Sequence, residues 1–335
     1  MLTFTIRRLL LAIPTLLFIS FIIFLIVKLS PSDPTAGLPM TIPPEVREQI
    51  RESLGVNDPI FFQYFKWLKL MMWDEPLHLI QGWTGLEVAP DGPRIISYQT
   101  RSPVMELIMQ RMPQTLWVVG TSYVVGILIA LPIGIISAYK QYSVFDQVGT
   151  FISMLGFSVP TFFTGVLFIV IFAVHLGWFP SVYDTTHEVT DWDSFVVQIK
   201  QIIMPVMVLG LYNASQISRF MRASMLDNLN QDYVRTARAK GLTEKIVVLV
   251  HVLRNSLIPV ITVIALNVPS VFGGAIITEQ VFKVNGIGQL LIIAIQGGDI
   301  PVVQTVSFIF AVLIVLFNLL ADVLYGVLDP RIRYD

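Results

Sequence analysis

Six apolar runs dominate this chain, covering residues 9–29, 115–138, 148–176, 202–220, 257–277 and 303–328. Each is close to the ~20 residues that a helix needs to cross the hydrocarbon of a bilayer. A backbone inside lipid must satisfy all of its own hydrogen bonds, so runs of this kind fold as helices. The expected fold class is therefore an all-α polytopic membrane protein with six transmembrane helices. Composition agrees: of 335 residues, 54% are hydrophobic and only 13% charged, about half the charged share of a soluble domain. Arg7-Arg8 precede the first run. That run is too long for the core of a cleaved signal peptide, so it reads as a retained span.

The stretches between the runs set orientation. The loop from Arg219 to Arg254 carries Arg219, Arg222, Arg235, Arg238, Lys240, Lys245 and Arg254, and the tail adds Arg331 and Arg333, whereas the facing loops offer Lys200 and Lys283. An excess of Lys and Arg in short loops marks the cytoplasmic side. Both termini are thus expected in the cytoplasm, with a large extracytoplasmic segment, residues 30–112, between spans one and two. Within it, a short charged helix is expected at residues 45–54. Phe61, Phe65, Leu68 and Met72 recur at helical spacing opposite Gln63, Lys66 and Lys69, the pattern of an interfacial helix. Residues 74–100 read as loop. A helix opened by Ser102-Pro103 is expected to end before Pro113. Pro160 implies a kink or tilt in the third run. Asn285-Gly-Ile-Gly288 and Gly297-Gly298-Asp299 flank an apolar half-helix, 289–295, too broken to span; it reads as a re-entrant or surface turn. The chain divides into residues 1–112, the first span with the extracytoplasmic segment, and 113–330, the remaining spans with the loop 232–259.

That loop, DYVRTARAKGLTEKIVVLVHVLRNSLIP, is a basic interruption between two apolar runs. Its pattern predicts two short helices. Asp232 is placed to cap the first. Gly241 can end it, because glycine enters the left-handed region without penalty. Thr243 can cap the second, with Glu244 in its first turn. Ala237, Ala239 and Gly241 leave the first helix thinly covered. Spacing alone allows two readings: a surface helix with arginines toward lipid phosphates, or a docking knob for a cytoplasmic partner.

Covalent chemistry is not expected. There is no phosphate-binding Gly-rich loop ending in Gly-Lys-Ser/Thr, no cysteine, and four histidines without metal-ligand spacing. The chain is read as a non-enzyme that binds no cofactor or metal. A net charge of −1 gives no field for nucleic acid. Polar groups within the apolar runs are Asn213, Gln216, Asn267, Asn318 and Asp322. Each can line a path or bond a neighbouring helix; Asp322 lies near the cytoplasmic end of its run, where snorkelling or a basic partner accounts for it. Glu279, at the outer end of span five, is the acid to test as a gate or lining residue, with Asn213 and Asn267 as further candidates for the translocation path. A proton-driven carrier needs ionisable groups near the midplane, and none is found there.

Thr236-Ala237 followed after three residues by Gly241 resembles the coupling-loop motif of ABC-importer permeases. Tyr233-Val-Arg-Thr-Ala-Arg-Ala-Lys-Gly241, with His251-Val-Leu-Arg-Asn255 and Ile258-Pro259, is similar to the dipeptide/oligopeptide branch of that family. Arg7-Arg8, Ser102-Pro-Val, Arg111-Met-Pro113, Leu131-Pro-Ile-Gly134, Ser158-Val-Pro160, Glu279 with Phe282, and Gly286-Ile-Gly288 extend the likeness almost end to end. The chain departs from the general motif at Arg235, where a glutamate usually stands, and at Arg254, where a proline usually closes it. Met71–Thr100 is longer than the family's usual link. The resemblance implies a type I importer permease fold (MetI-like) in a bacterial inner membrane. It implies an ATPase-coupling helix at Arg235, Thr236, Ala237, Arg238, Ala239, Lys240 and Gly241, supported by His251, Arg254 and Asn255. The implied partners are a second homologous permease, two ATPases that hold ATP and Mg, an extracytoplasmic solute-binding protein and the lipid bilayer. The implied cargo is di- or oligopeptide, with oligosaccharide, nickel chelate or opine as alternatives. A stand-alone secondary carrier and a membrane scaffold are the readings from other classes.

Overall fold

The computed structural model of the chain describes residues 2–29, 43, 45, 58–89, 92–273 and 275–328. The short charged helix expected at 45–54 and the Arg331 and Arg333 tail lie outside the described residues. Among these residues the architecture is all-helical, with one isolated bridge, Ile96 to Pro103. Five helices are long and apolar enough to cross a membrane, or up to seven when each of two sharply bent pairs is counted as a span.

In chain order, α1 is Leu2–Leu29. Pro14 sits well inside it; membrane helices tolerate proline where neighbouring groups satisfy the freed carbonyl. α2 is Ile60–Lys69 and runs through a π-helical turn, Leu70–Asp74, into α3, Glu75–Thr84. The first part of the expected loop at 74–100 is therefore helix, with Pro76 at the start of α3. Gly85 ends α3 in the left-handed conformation, φ 71°.

α4, Val104–Thr115, does not stop before Pro113. It continues through another π-helical turn, Leu116–Gly120, into α5, Thr121–Tyr139. The apolar run is 36 residues long, or ~54 Å at 1.5 Å per residue, and only part of it can lie in hydrocarbon. The third apolar run is divided into α6, Val144–Ser158, and α7, Thr161–Phe168, which continues as a π-helical turn to His175. The two halves meet at 102°. Pro160 is the cause, since it drives Val159 into extended geometry, φ −80° and ψ 126°.

α8, Trp192–Leu229, is opened by a capping box in which Asp191 accepts from the Ser194 backbone and Ser194 accepts from the Asp191 backbone. α9 is Asp232–Ala239; α10, Glu244–Ile246, passes through a π-helical turn, Val247–Val252, into α11, Leu253–Gly273. α12, Ile276–Phe282, and α13, Ile287–Gln296, form the second bent pair, at 93°. α14 is Ile300–Leu328.

The chain forms two compact units. The first comprises residues 1–8, 113–289 and 316–335. Its core joins α5, α8, α9 and α11, with Met221, Met225, Val234, Val247 and Val252 fully or almost fully buried. Glycines bring the helices together: a Cβ at Gly134 would stand 2.6 Å from Met221 Cβ, and one at Gly126 would stand 2.9 Å from Asn213 Cβ. Small residues at contacts are the usual means of close helix packing in lipid, where there is no hydrophobic drive between helices. Arg8 pairs with Asp322 at 3.1 Å, the basic-partner alternative for that carboxylate. The second unit comprises residues 9–112 and 290–315. There Tyr64, Trp67 and Met71 of α2 pack on Phe24 and Phe308. Phe61, Phe65 and Met72 are exposed, on a face of this segment other than the one that packs on Phe24 and Phe308, and an interfacial helix presents such a face to lipid.

Candidate functional site

The basic loop folds as one helix and the start of another. Gln231 occupies the cap position of α9 and makes no side-chain cap bond; Asp232 is the first helical residue and pairs with Arg235 at 3.3 Å instead. Val234 and Ala237 are buried while Arg235, Thr236, Arg238, Ala239, Lys240 and Gly241 are exposed. That split follows from the i, i+3 spacing of the two apolar residues. Val234 and Ala237 pack in the same core as Val247, Val248 and Val252, so the exposed face is presented by a helix that is anchored from beneath.

Gly241 adopts φ 77°, and its N–H donates to Arg238 O at 2.9 Å, while Leu242 N–H reaches Ala237 O at 3.3 Å. The last carbonyls of α9 are thereby satisfied, as a left-handed cap requires. Arg238 grips Glu244 with Nε at 2.7 Å and Nη2 at 3.3 Å, a fork that ties the end of α9 to the start of α10. The hydrogen bond from Glu244 raises the Arg238 pKa further. Thr243 stands at the cap position of α10 without a side-chain cap bond. The second expected short helix is the first turn of a continuous apolar run, Glu244–Phe272, because the π-helical turn carries the chain onward without a break.

His251 lies in that turn and Asn255 in the first turns of α11, where its amide reaches His251 O at 3.5 Å; Arg254 is exposed. They share a helical segment rather than a side-chain cluster. A contact that no sequence motif marks lies beside them: Ser224 hydroxyl donates to Ser256 O at 2.8 Å, while the single Ser256 hydroxyl proton is shared between Val252 O at 2.9 Å and Ser224 O at 3.2 Å. The Ser224 bond pins α8 to α11 beside the loop. Arg222 holds Asp146 through Nε and Nη2 at 2.7 and 2.8 Å, fastening α6 to α8 on the same side.

The three candidate path residues are not brought into one cluster by any side-chain bond. Glu279 on α12 is 1% exposed. Its carboxylate accepts from Thr115 hydroxyl at 3.1 Å and from Gln289 N–H at 2.9 Å. Thr115 hydroxyl oxygen accepts in turn from Ile287 N–H at 2.8 Å. The acid therefore closes the turn before α13 by satisfying the first donors of that helix. A Cβ at Gly286 or Gly288 would collide with the Glu279 carboxylate, which is why glycine stands at both positions. Asn213 packs against Gly126. Asn267 donates to Val263 O of its own helix at 2.8 Å.

Comparison with known proteins adds to this geometry. Residues 130–334 match the family described as binding-protein-dependent transport system inner membrane component, and residues 1–119 match the N-terminal region described for the same membrane components. The chain is 40% identical over 335 residues to the oligopeptide transport system permease protein AppB of Bacillus subtilis, covering all of both chains. It is 36% identical over 338 residues to the glutathione transport system permease protein GsiC of Escherichia coli K12, again covering all of both. Among solved structures, a chain of the MetNI methionine ABC transporter in inward-facing form aligns with a TM-score of 0.52 at 20% identity, over 68% of this chain and 99% of that one; it shows the fold alone. With the helical architecture, the anchored basic loop and matches across its length, this chain belongs to the family of binding-protein-dependent transport system inner membrane components.

Proposed function

We propose that this chain is the non-catalytic membrane subunit of a bacterial importer for peptides, driven by ATPase subunits that dock on α9. The observation that carries the reading is the cationic face Arg235–Gly241, exposed on a helix whose other face is buried through Val234 and Ala237. Such a part moves as a rigid lever: force applied to the exposed face reaches α8 and α11 through packed side chains. Peptide cargo is supported by the full-length likeness to permeases whose names specify oligopeptide and glutathione.

In this reading the five straight spans, with α6 and α7 counted as a broken sixth, place both termini in the cytoplasm of the inner membrane; α12 and α13 form a re-entrant turn. ATP closes the paired ATPases and α9 moves with them. The spans then shift toward an outward-open state that receives cargo from an extracytoplasmic binding protein. A second, homologous permease completes the path. ATP drives the change only if it binds one state better than the other.

Gly241→Asp tests the docking role. A Cβ at Gly241 would meet nothing within 4 Å in this chain, and aspartate tolerates the left-handed region better than most residues. The variant should therefore insert and fold, yet lose ATP-driven peptide uptake and ATPase assembly in proteoliposomes. ATPase subunits that still assemble with it and are stimulated by it would refute the docking role.

A further inference from the structure

A cavity of about 410 Å³ opens beside Pro113 and Trp117, the loop around Asp184, and the first turns of α8. It lies within the first compact unit. Its size falls in the ~300–1,000 Å³ range of small-molecule sites. The loop that forms one wall is already fixed. Tyr183 N–H donates to Phe282 O at 2.9 Å, Asp184 N–H to Gln201 Oε1 at 2.8 Å, and Gln198 Nε2 to the Tyr183 hydroxyl at 2.5 Å. The His187 ring holds Ser194 O at 2.8 Å. A preformed wall spares a ligand the cost of ordering it.

Three features define what the cavity takes. Trp117 and Phe195 form an aromatic wall, ring centroids 6.4 Å apart, and Trp192, outside the lining, stands 5.6 Å from Phe195. Asp184 contributes an exposed carboxylate, whose Oδ1 is oriented by Thr186 hydroxyl at 2.7 Å and Thr186 N–H at 2.9 Å. Those donors, the hydroxyl first, hold its pKa below the usual carboxylate value. Gln114 Oε1 is shielded and has no donor, so a small turn of its amide would serve a ligand N–H. Aromatic faces and a fixed anion together favour an organic cation with an apolar body.

We propose that this cavity binds the free, protonated amino end of a peptide, with Asp184 as counter-ion and the first side chain against Trp117 and Phe195. The assignment rests on the peptide reading above and names a subsite for it. No covalent step is involved.

The test uses the complete importer in lipid nanodiscs and a photoreactive probe, benzoylphenylalanyl-alanyl-alanine, beside its N-acetylated form. Labelling is read by mass spectrometry in the nanodiscs without ATP; uptake is read separately in proteoliposomes with ATP. The free-amine probe should mark residues 113–117 or 183–198, about tenfold more than the acetylated probe, the scale of one lost charge-assisted hydrogen bond. Asp184→Asn should abolish that preference, and Trp117→Ala should lower labelling of both probes, with Trp117→Phe restoring it. Asp184→Asn keeps size and backbone bonds, so failure to fold is not its expected effect. Labelling that ignores the amino group, falls elsewhere, or persists unchanged in Asp184→Asn would overturn the assignment. Amine-dependent labelling without ATP-driven uptake would instead support the cavity and refute the importer reading.

Discussion

Glu279 and Thr115 stand 164 positions apart in the chain, yet their side chains meet at 3.1 Å in a buried site. The pair joins the end of α4 to the turn that precedes α13, and each side chain also accepts a backbone N–H from the start of that helix. Removing the carboxylate leaves those donors without water to replace it. An unpaired buried group costs ~1–3 kcal/mol. Glu279→Ala should therefore lower stability by about 3 kcal/mol, and Glu279→Gln, which keeps an acceptor, by about 1 kcal/mol. Thermal unfolding of the purified chain in detergent measures both. Thr115→Val combined with Glu279→Ala should cost less than the sum of the singles, because the two act as one unit.

The Arg222–Asp146 fork makes a second prediction. Asp146 is 4% exposed at its side chain and Arg222 27%. Cutting a buried pair at one end strands a charge and costs ~3–5 kcal/mol, so Arg222→Ala should destabilise by about 3 kcal/mol, at the lower end because arginine keeps some water. Arg222→Lys retains the charge but not the fork and should lie between. Asp146→Asn with Arg222→Gln should recover part of the loss. Equal unfolding temperatures for Arg222→Ala and the parent chain would sink this account.

The start of α8 should respond to acid. Asp191 accepts from Ser194 N–H at 2.8 Å, and that backbone donor depresses its pKa. The sign follows from linkage: a depressed carboxylate stabilises the folded end fully above the ordinary aspartate pKa of about 3.9, and this contribution is lost as pH falls through the lower folded value. Below that point the first turn of α8 should fray. Exchange of the Ser194 amide, corrected for its intrinsic rate, should accelerate there in the parent chain. Asp191→Asn, which caps without titrating, should abolish the step.

Several of these features were legible in the residue order. The spans follow from apolar length. The 102° break follows from Pro160, whose ring excludes α geometry at Val159. Gly241 marked a left-handed cap and has φ 77°. Others were present in the sequence but easily overlooked: Asp191-x-x-Ser194 is a capping pattern, and Gly126 and Gly134 signal close helix contact. Pro113 misleads, because its missing donor reads as a helix end, whereas packing carries the chain through a widened turn. Another widened turn, Val247–Val252, fuses the second expected short helix of the basic loop to the apolar run after it.

Residue order by itself determined that the chain is helical and membrane-embedded and that one basic loop stands apart, since those properties depend on local periodicity, apolar length and charge. Only the tertiary structure decided which distant groups pair: Glu279 with Thr115, Arg222 with Asp146, Ser224 with Ser256. It also decided that Asp184, Trp117 and Phe195 line one cavity. Pairings of that kind depend on how helices cross, and in lipid the crossings are set by small residues and a few buried hydrogen bonds whose partners no short-range pattern identifies.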